Sequence, residues 1–217
     1  GHKHGQSGLV ALVEAFLAKR GATVREAGRL LAASSAATPR FGCFGMHEWA
    51  MVYKLAPGEQ RHEQLPLRLS QAATDDVVEA ADIRCTHFDA FRFFTPSARP
   101  LNLRVLTRES QPAYEQRGCL HATMDLYKWA YRLLPAVPSD LVVDAFDLAR
   151  EIREIDMRAS PYDLRELGYA AIPVETPEGR AQAWAVNATA VAELARRCAE
   201  AGAEQDTSQR AAHHRWV

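Results

Sequence analysis

Three short segments hold most of the residues that can do chemistry. They are FGCFGMHEWA (41–50) with His47 and Glu48, RCTHFDAF (84–91) with His87 and Asp89, and GCLHATMDLYKWA (118–130) with His121, Asp125 and Lys128. Cys43, Cys85 and Cys119 precede the three histidines by a few residues. Imidazoles together with carboxylates bind zinc or a transition metal, so His47, His87 and His121 can supply three ligands. Asp89, Glu48 or Asp125 would then be a fourth ligand or the partner of a ligating ring. The same types also suit metal-free catalysis, in which a carboxylate activates water and a histidine or lysine moves protons. The spacing leaves both open, because His47-Glu48 lacks the second histidine of HExxH. A third use is structural, with each ring hydrogen-bonded inside the core.

The elements that must position these residues are mainly helical. Leu120, Met124, Tyr127, Tyr131 and Leu134 recur at helical spacing, and on the same helix His121 and Asp125 lie one turn apart, continued by Lys128 and Arg132. Pro135 and Pro138 end that helix, and Ser139 is the expected cap of another running to about Met157. At the end of this second helix Asp156 and Arg158 can reach a site or cap and pair locally, with pairing the expected use. Residues 8–36 predict two helices or one kinked at Gly21, and Thr176-Pro177-Glu178 opens a last long helix. The glycines of FGCFG predict a backbone that passes close to another part of the chain. LPLRLS and ADIRC have strand character around a short helix capped by Thr74, and an extended 84–89 would set Cys85, His87 and Asp89 on one face. The expected fold is mostly α (α+β): a single helical domain over 1–205 with a small central β-sheet, followed by a flexible tail over 206–217.

Composition narrows the function classes. Lys+Arg 26 against Asp+Glu 27 gives a net charge of -1, which supplies no general field for a polyanion. No apolar run approaches the roughly 20 residues of a membrane helix, and GHKHGQSG lacks the parts of a signal peptide, so a cytoplasmic protein with reduced cysteines is expected. Phosphate loop, dinucleotide glycine fingerprint and GxSxG elbow are all missing. Cys85 and Cys119 rank below the histidines as reactive groups, as small buried side chains. Trp49 and Phe88 can form an aromatic wall for a planar ligand, and Arg92 and Lys128 can hold its polar or anionic parts.

The blocks FGCFGMHEWAMVYK, IRCTHFDAFRFFTPSARPLN, GCLHATMDLYKWAY and EIREIDMRASPYDL, with ETPEGRA, resemble those of a family of actinobacterial proteins labelled 3-methyladenine DNA glycosylase. The resemblance spans about residues 14–183. It implies a cofactor-free hydrolase that cuts the N-glycosidic bond of a damaged base in DNA, or of a nucleobase-like small molecule. Glu48, Asp89 or Asp125 would be the carboxylate, and Trp49 or Phe88 would stack on the base. His87 and His121 complete that catalytic group. The alternative from the residues themselves is a metal-dependent enzyme acting on a small molecule through His47, His87 and His121, and a second is a non-catalytic binding protein.

Overall fold

The computed structural model describes residues 2–43, 45–183 and 185, with side chains from residue 14 onward. The N-terminal segment forms one continuous helix, α1 (His2–Ala36), because Gly21 lowers helix propensity without breaking the backbone ladder. Short helices follow: α2 (Met46–Ala50), α3 (Gln71–Ala80), α4 (Phe88–Phe91) and α5 (Gln111–Tyr114). Two longer ones, α6 (Leu120–Arg132) and α7 (Ser139–Ala159), lie side by side. On α7 Ala145, Leu148, Ile152, Ile155 and Ala159 are buried at helical spacing, whereas Leu141 near its start is exposed. Ser70 caps α3 by accepting from the Ala73 amide at 3.2 Å, and Thr74 bonds the Ser70 carbonyl from inside the helix.

The expected central β-sheet is not there. Among the described residues strand pairing is confined to two isolated bridges, Leu67 with Tyr162 and Ile83 with Asn102. The segments that read as strands are extended connections, held by side chains instead of a ladder. Asn102 accepts from the Cys85 amide at 2.8 Å and donates to the Cys85 carbonyl at 3.1 Å, satisfying backbone that a sheet would otherwise pair. Residues 84–87 are extended as expected, but the chain then turns into α4, so Asp89 leaves the face that carries His87.

The core lies under α2 and α7. Trp49 is fully buried and its indole N–H donates to the Ala159 carbonyl at 3.0 Å, fastening α2 to the end of α7. Ile83, Phe91, Phe94, Val78, Ile152 and Ile172 fill the space around it. Arg68 closes this region by a two-pronged bond to Glu175, at 2.7 and 2.9 Å, and a third bond to the Ser160 carbonyl. Thr176 caps the following helical residues, 177–183, by accepting from the Gly179 amide at 3.0 Å. The tail expected at 206–217 lies outside the described residues, and no helix among those described is long and apolar enough to cross a membrane.

Candidate metal centre

Gly45 shows why FGCFG is written with glycines. It sits at φ +62, in the left-handed region, and a Cβ there would stand 2.9 Å from both the Cβ and the carbonyl oxygen of Ala159. The turn therefore brings α2 directly against the C-terminal end of α7. His47, two residues into the site, then faces Asp156, one turn before Ala159, with Nε2 3.2 Å from Oδ1. A second close approach serves α6. Gly118 lies against the backbone of Arg40, where a Cβ would come within 2.8 Å of the Arg40 nitrogen. Gln116 locks this contact by accepting from the amides of Arg40 and Gly118, each at 2.7 Å, and donating to the Arg40 carbonyl at 3.0 Å. His121 follows in the first turn of α6.

The three histidines meet. The His121 ring stands edge-on to His47, with centroids 4.3 Å apart, and stacks on His87 at 5.2 Å and 29°. Their ligand atoms divide into two sets. His47, His121 and Asp156 form one and His87, Glu115 and Asp125 the other, the donor atoms of each lying within 4.8 Å of one another. Both are largely sealed: His47, His87, Glu115 and Asp156 are all buried, and His121 and Asp125 are half-buried.

In the first set His47 Nε2 and Asp156 Oδ1 are buried and face each other as an ion pair at 3.2 Å, but among the described residues neither makes a hydrogen bond of ordinary geometry. Unsatisfied buried polar atoms cost on the order of 1–3 kcal/mol each, more if charged, and are rare unless something else binds them. The other Asp156 oxygen accepts from Arg153 at 2.7 Å, and Arg153 also reaches Glu48 at 3.3 Å. Burial by itself would push the His47 ring down, but Asp156 and then Glu48 raise its pKa to about 9, whereas burial and the neighbouring His47 charge take His121 down to about 3. Burial opposes ionisation of Asp156, and His47 overcomes it and holds this carboxyl well below its usual range. A cavity of about 10 Å³, the room of one water-sized sphere, adjoins His47 and His121 and is lined also by Phe41, Cys43 and Cys119.

In the second set His87 Nε2 lies 3.2 Å from Asp125 and 3.6 Å from Glu115, and its Nδ1 is buried without a partner. Burial drives the Glu115 pKa up; it does the same to Asp125, but there His87 and Lys128 prevail and the carboxyl is lowered. Lys128 bonds Asp125 and has Asp89 at 3.6 Å. Asp89 is held by Arg108, which also covers the Phe88 ring at 4.6 Å, and by Arg92 at 3.5 Å.

The structure thus gathers His47, Glu48, His87, His121, Asp125 and Lys128 in one place, with Asp89 at its outer edge. Trp49 is core, with no face open to a ligand. Arg92 points outward onto the Phe93 ring, with half of its side chain exposed. Glu115, Arg153 and Arg108 belong to the site although no spacing marked them, and Asp156, for which a local pair was the favoured of two readings, is central. Its signal was a carboxylate set within the apolar stripe of α7. Cys85 and Cys119 are buried free thiols beside the rings, and Cys85 donates to the His87 carbonyl at 3.6 Å. Compared with known proteins, the chain matches no family model, no curated protein and no solved structure.

Proposed function

We propose that this protein is a metal-dependent hydrolase acting on a small molecule, with an ion held by His47, His121 and Asp156. The observation that carries the reading is the pair His47 Nε2 and Asp156 Oδ1: two ligand-type atoms, buried, 3.2 Å apart, facing each other as an ion pair and, among the described residues, without a hydrogen bond of ordinary geometry. Two imidazoles and one carboxylate leave coordination positions open, the donor set of hydrolytic zinc sites and of non-haem iron(II). A bound ion in such a set lowers the pKa of its water and polarises a substrate oxygen. Arg153 grips both Asp156 and Glu48 and fixes the carboxylates, and the half-buried face of His121 gives access from solvent.

N-glycosidic hydrolysis is the specific reaction that the family resemblance brings. It draws less support from the geometry. Its carboxylates are each tied to cations, Glu48 to Arg153, Asp89 to Arg108 and Asp125 to Lys128, and Trp49 cannot stack on a base from inside the core. Elemental analysis of protein purified without a histidine tag tests the metal reading. About one ion or more per chain is expected, falling in His47→Ala and Asp156→Asn. Metal-free protein that also takes up no zinc, manganese, iron or cobalt on titration refutes it, and excision of 3-methyladenine from alkylated DNA by that metal-free protein would establish the glycosidic reading.

A further inference from the structure

The second set needs its own account. His87, Glu115 and Asp125 present three donor atoms within 4.8 Å, as the first set does, and the stacked rings of His87 and His121 place the two sets side by side. Glu115 and Asp125 approach the same nitrogen of His87 from two sides, at 3.6 and 3.2 Å. Two carboxylates converging in a buried site repel each other unless a cation lies between them or one keeps its proton, and Glu115 accepts from Gln111 as well. Lys128 is the cation at hand, but it touches Asp125 alone of the set. Its flexible stem also lets it pass to Asp89, already 3.6 Å away.

The distribution of charge points the same way. Among the described residues four carboxylates reach the imidazoles, namely Glu48, Asp156, Glu115 and Asp125, and two cations, Arg153 and Lys128, meet them. With the imidazoles neutral, as ligation to an ion requires, one divalent ion balances the difference and a second makes the centre positive. The cations stand on the solvent side. The side chains of Arg153, Arg108 and Lys128 are 43%, 50% and 30% exposed, whereas those of Asp156, Glu115 and Glu48 are 0%, 3% and 9% exposed. An acidic floor beneath a basic rim suits cations below and an anion above.

We propose that the two sets are filled together by two divalent cations side by side, and that this pair receives an oxyanion of the substrate, a phosphate or a carboxylate. The inference rests on the metal reading above and adds to it a second ion and a substrate class. Two adjacent ions would share the oxygens and the charge of an oxyanion between them.

Manganese(II) titration of chelator-stripped protein, followed by electron paramagnetic resonance, tests it. Two ions per chain are expected, with the six-line signal of a single ion giving way to a spin-coupled spectrum as the second enters. Glu115→Gln and Asp125→Asn, checked for folding by circular dichroism, bind one ion with an uncoupled signal, as does Asp156→Asn. Inorganic phosphate, and separately acetate, are then titrated against the stripped and loaded forms. Binding of at least one of them ten or more times tighter to the loaded form is expected, and which one it is names the substrate oxyanion. A single ion in the parent protein, two ions without coupling, no loss in Glu115→Gln, or equal anion affinity in both forms overturns the inference and leaves the one-ion hydrolase standing. No ion at all overturns both.

Discussion

Gly45→Ala tests how the chain builds the centre. The substitution adds one methyl group at a residue whose φ of +62 costs an L side chain about 1–2 kcal/mol. That methyl would stand 2.9 Å from the Ala159 Cβ and carbonyl, so α2 and the end of α7 must part by about 0.5 Å to reach ordinary contact, an overpacking cost of roughly 1–3 kcal/mol. Together these predict a loss of about 2–5 kcal/mol. Gly58→Ala is the internal control. It has φ +85 and open space around it, so it carries the conformational cost alone, about 1–2 kcal/mol. Urea denaturation of both variants gives the difference directly. The same displacement moves His47 away from Asp156, so metal affinity should fall in Gly45→Ala and stay unchanged in Gly58→Ala. Equal stability losses in the two variants, or parent-like metal affinity in Gly45→Ala, would refute the claim that this contact sets the His47–Asp156 geometry.

Three further outcomes are expected. Gln116→Ala removes three hydrogen bonds to backbone, two of them from amides of Arg40 and Gly118 at 2.7 Å, and should cost about 2–4 kcal/mol in thermal or urea unfolding. Burial would raise the Glu175 carboxyl, but Arg68 holds it below its ordinary value; a depressed folded-state pKa stabilises above the unfolded value and is lost as pH falls through the folded one. Stability measured from pH 7 down to pH 2 should therefore show an acid-side loss that is smaller in Arg68→Met, and superimposable profiles would contradict it. Saturating the centre at about a hundred times its dissociation constant should add about 2.7 kcal/mol to the parent protein, a rise of roughly 5–10 °C in Tm, and none of it should remain in the His47→Ala, Asp156→Asn double variant.

The long helices were legible because their apolar residues recur at a helical period, although in α7 Pro138 takes the cap position expected of Ser139, which is the first helical residue and makes no capping bond. The sheet was misread because LPLRLS and ADIRC alternate as strands do, whereas side-chain hydrogen bonds such as those of Asn102 satisfy their backbone. The histidine motifs pointed to the right places because three polar clusters in apolar surroundings are unusual. Their partners were hidden for a physical reason: His87 takes its acid from α6, 38 positions away, not from Asp89 two positions on. The turn into α4 decides this, and no local pattern announces a four-residue helix. Glu115 is further hidden in QPAYEQ, where nothing distinguishes it from a solvated acid until α5 folds it inward against His87.

The thiols sharpen the choice of chemistry. Cys43, Cys85 and Cys119 each precede a site histidine, and a soft-metal centre would enlist them. The donor sets are instead all imidazole and carboxylate. Cys85 is engaged elsewhere: the hydrogen bond from Cys43 lowers its pKa to about 7 and raises that of Cys43, and its own backbone is held by Asn102. Burial meanwhile keeps the Cys119 thiol well above its ordinary range. Cys119 is thus a packing group, and the Cys85 sulfur is held between Cys43 and the His87 carbonyl. Cys85→Ser and Cys119→Ala should accordingly leave the number of bound ions unchanged and lower only stability, by about 1–2 kcal/mol. Cobalt(II) supplies the sharper measurement, because thiolate ligation gives an intense near-ultraviolet charge-transfer band. Its absence from cobalt-loaded protein is the expected result. Its presence, and its loss in either cysteine variant, would move the centre from hydrolytic N/O chemistry to a thiolate site and overturn the assignment of Asp156 as the ligand opposite His47.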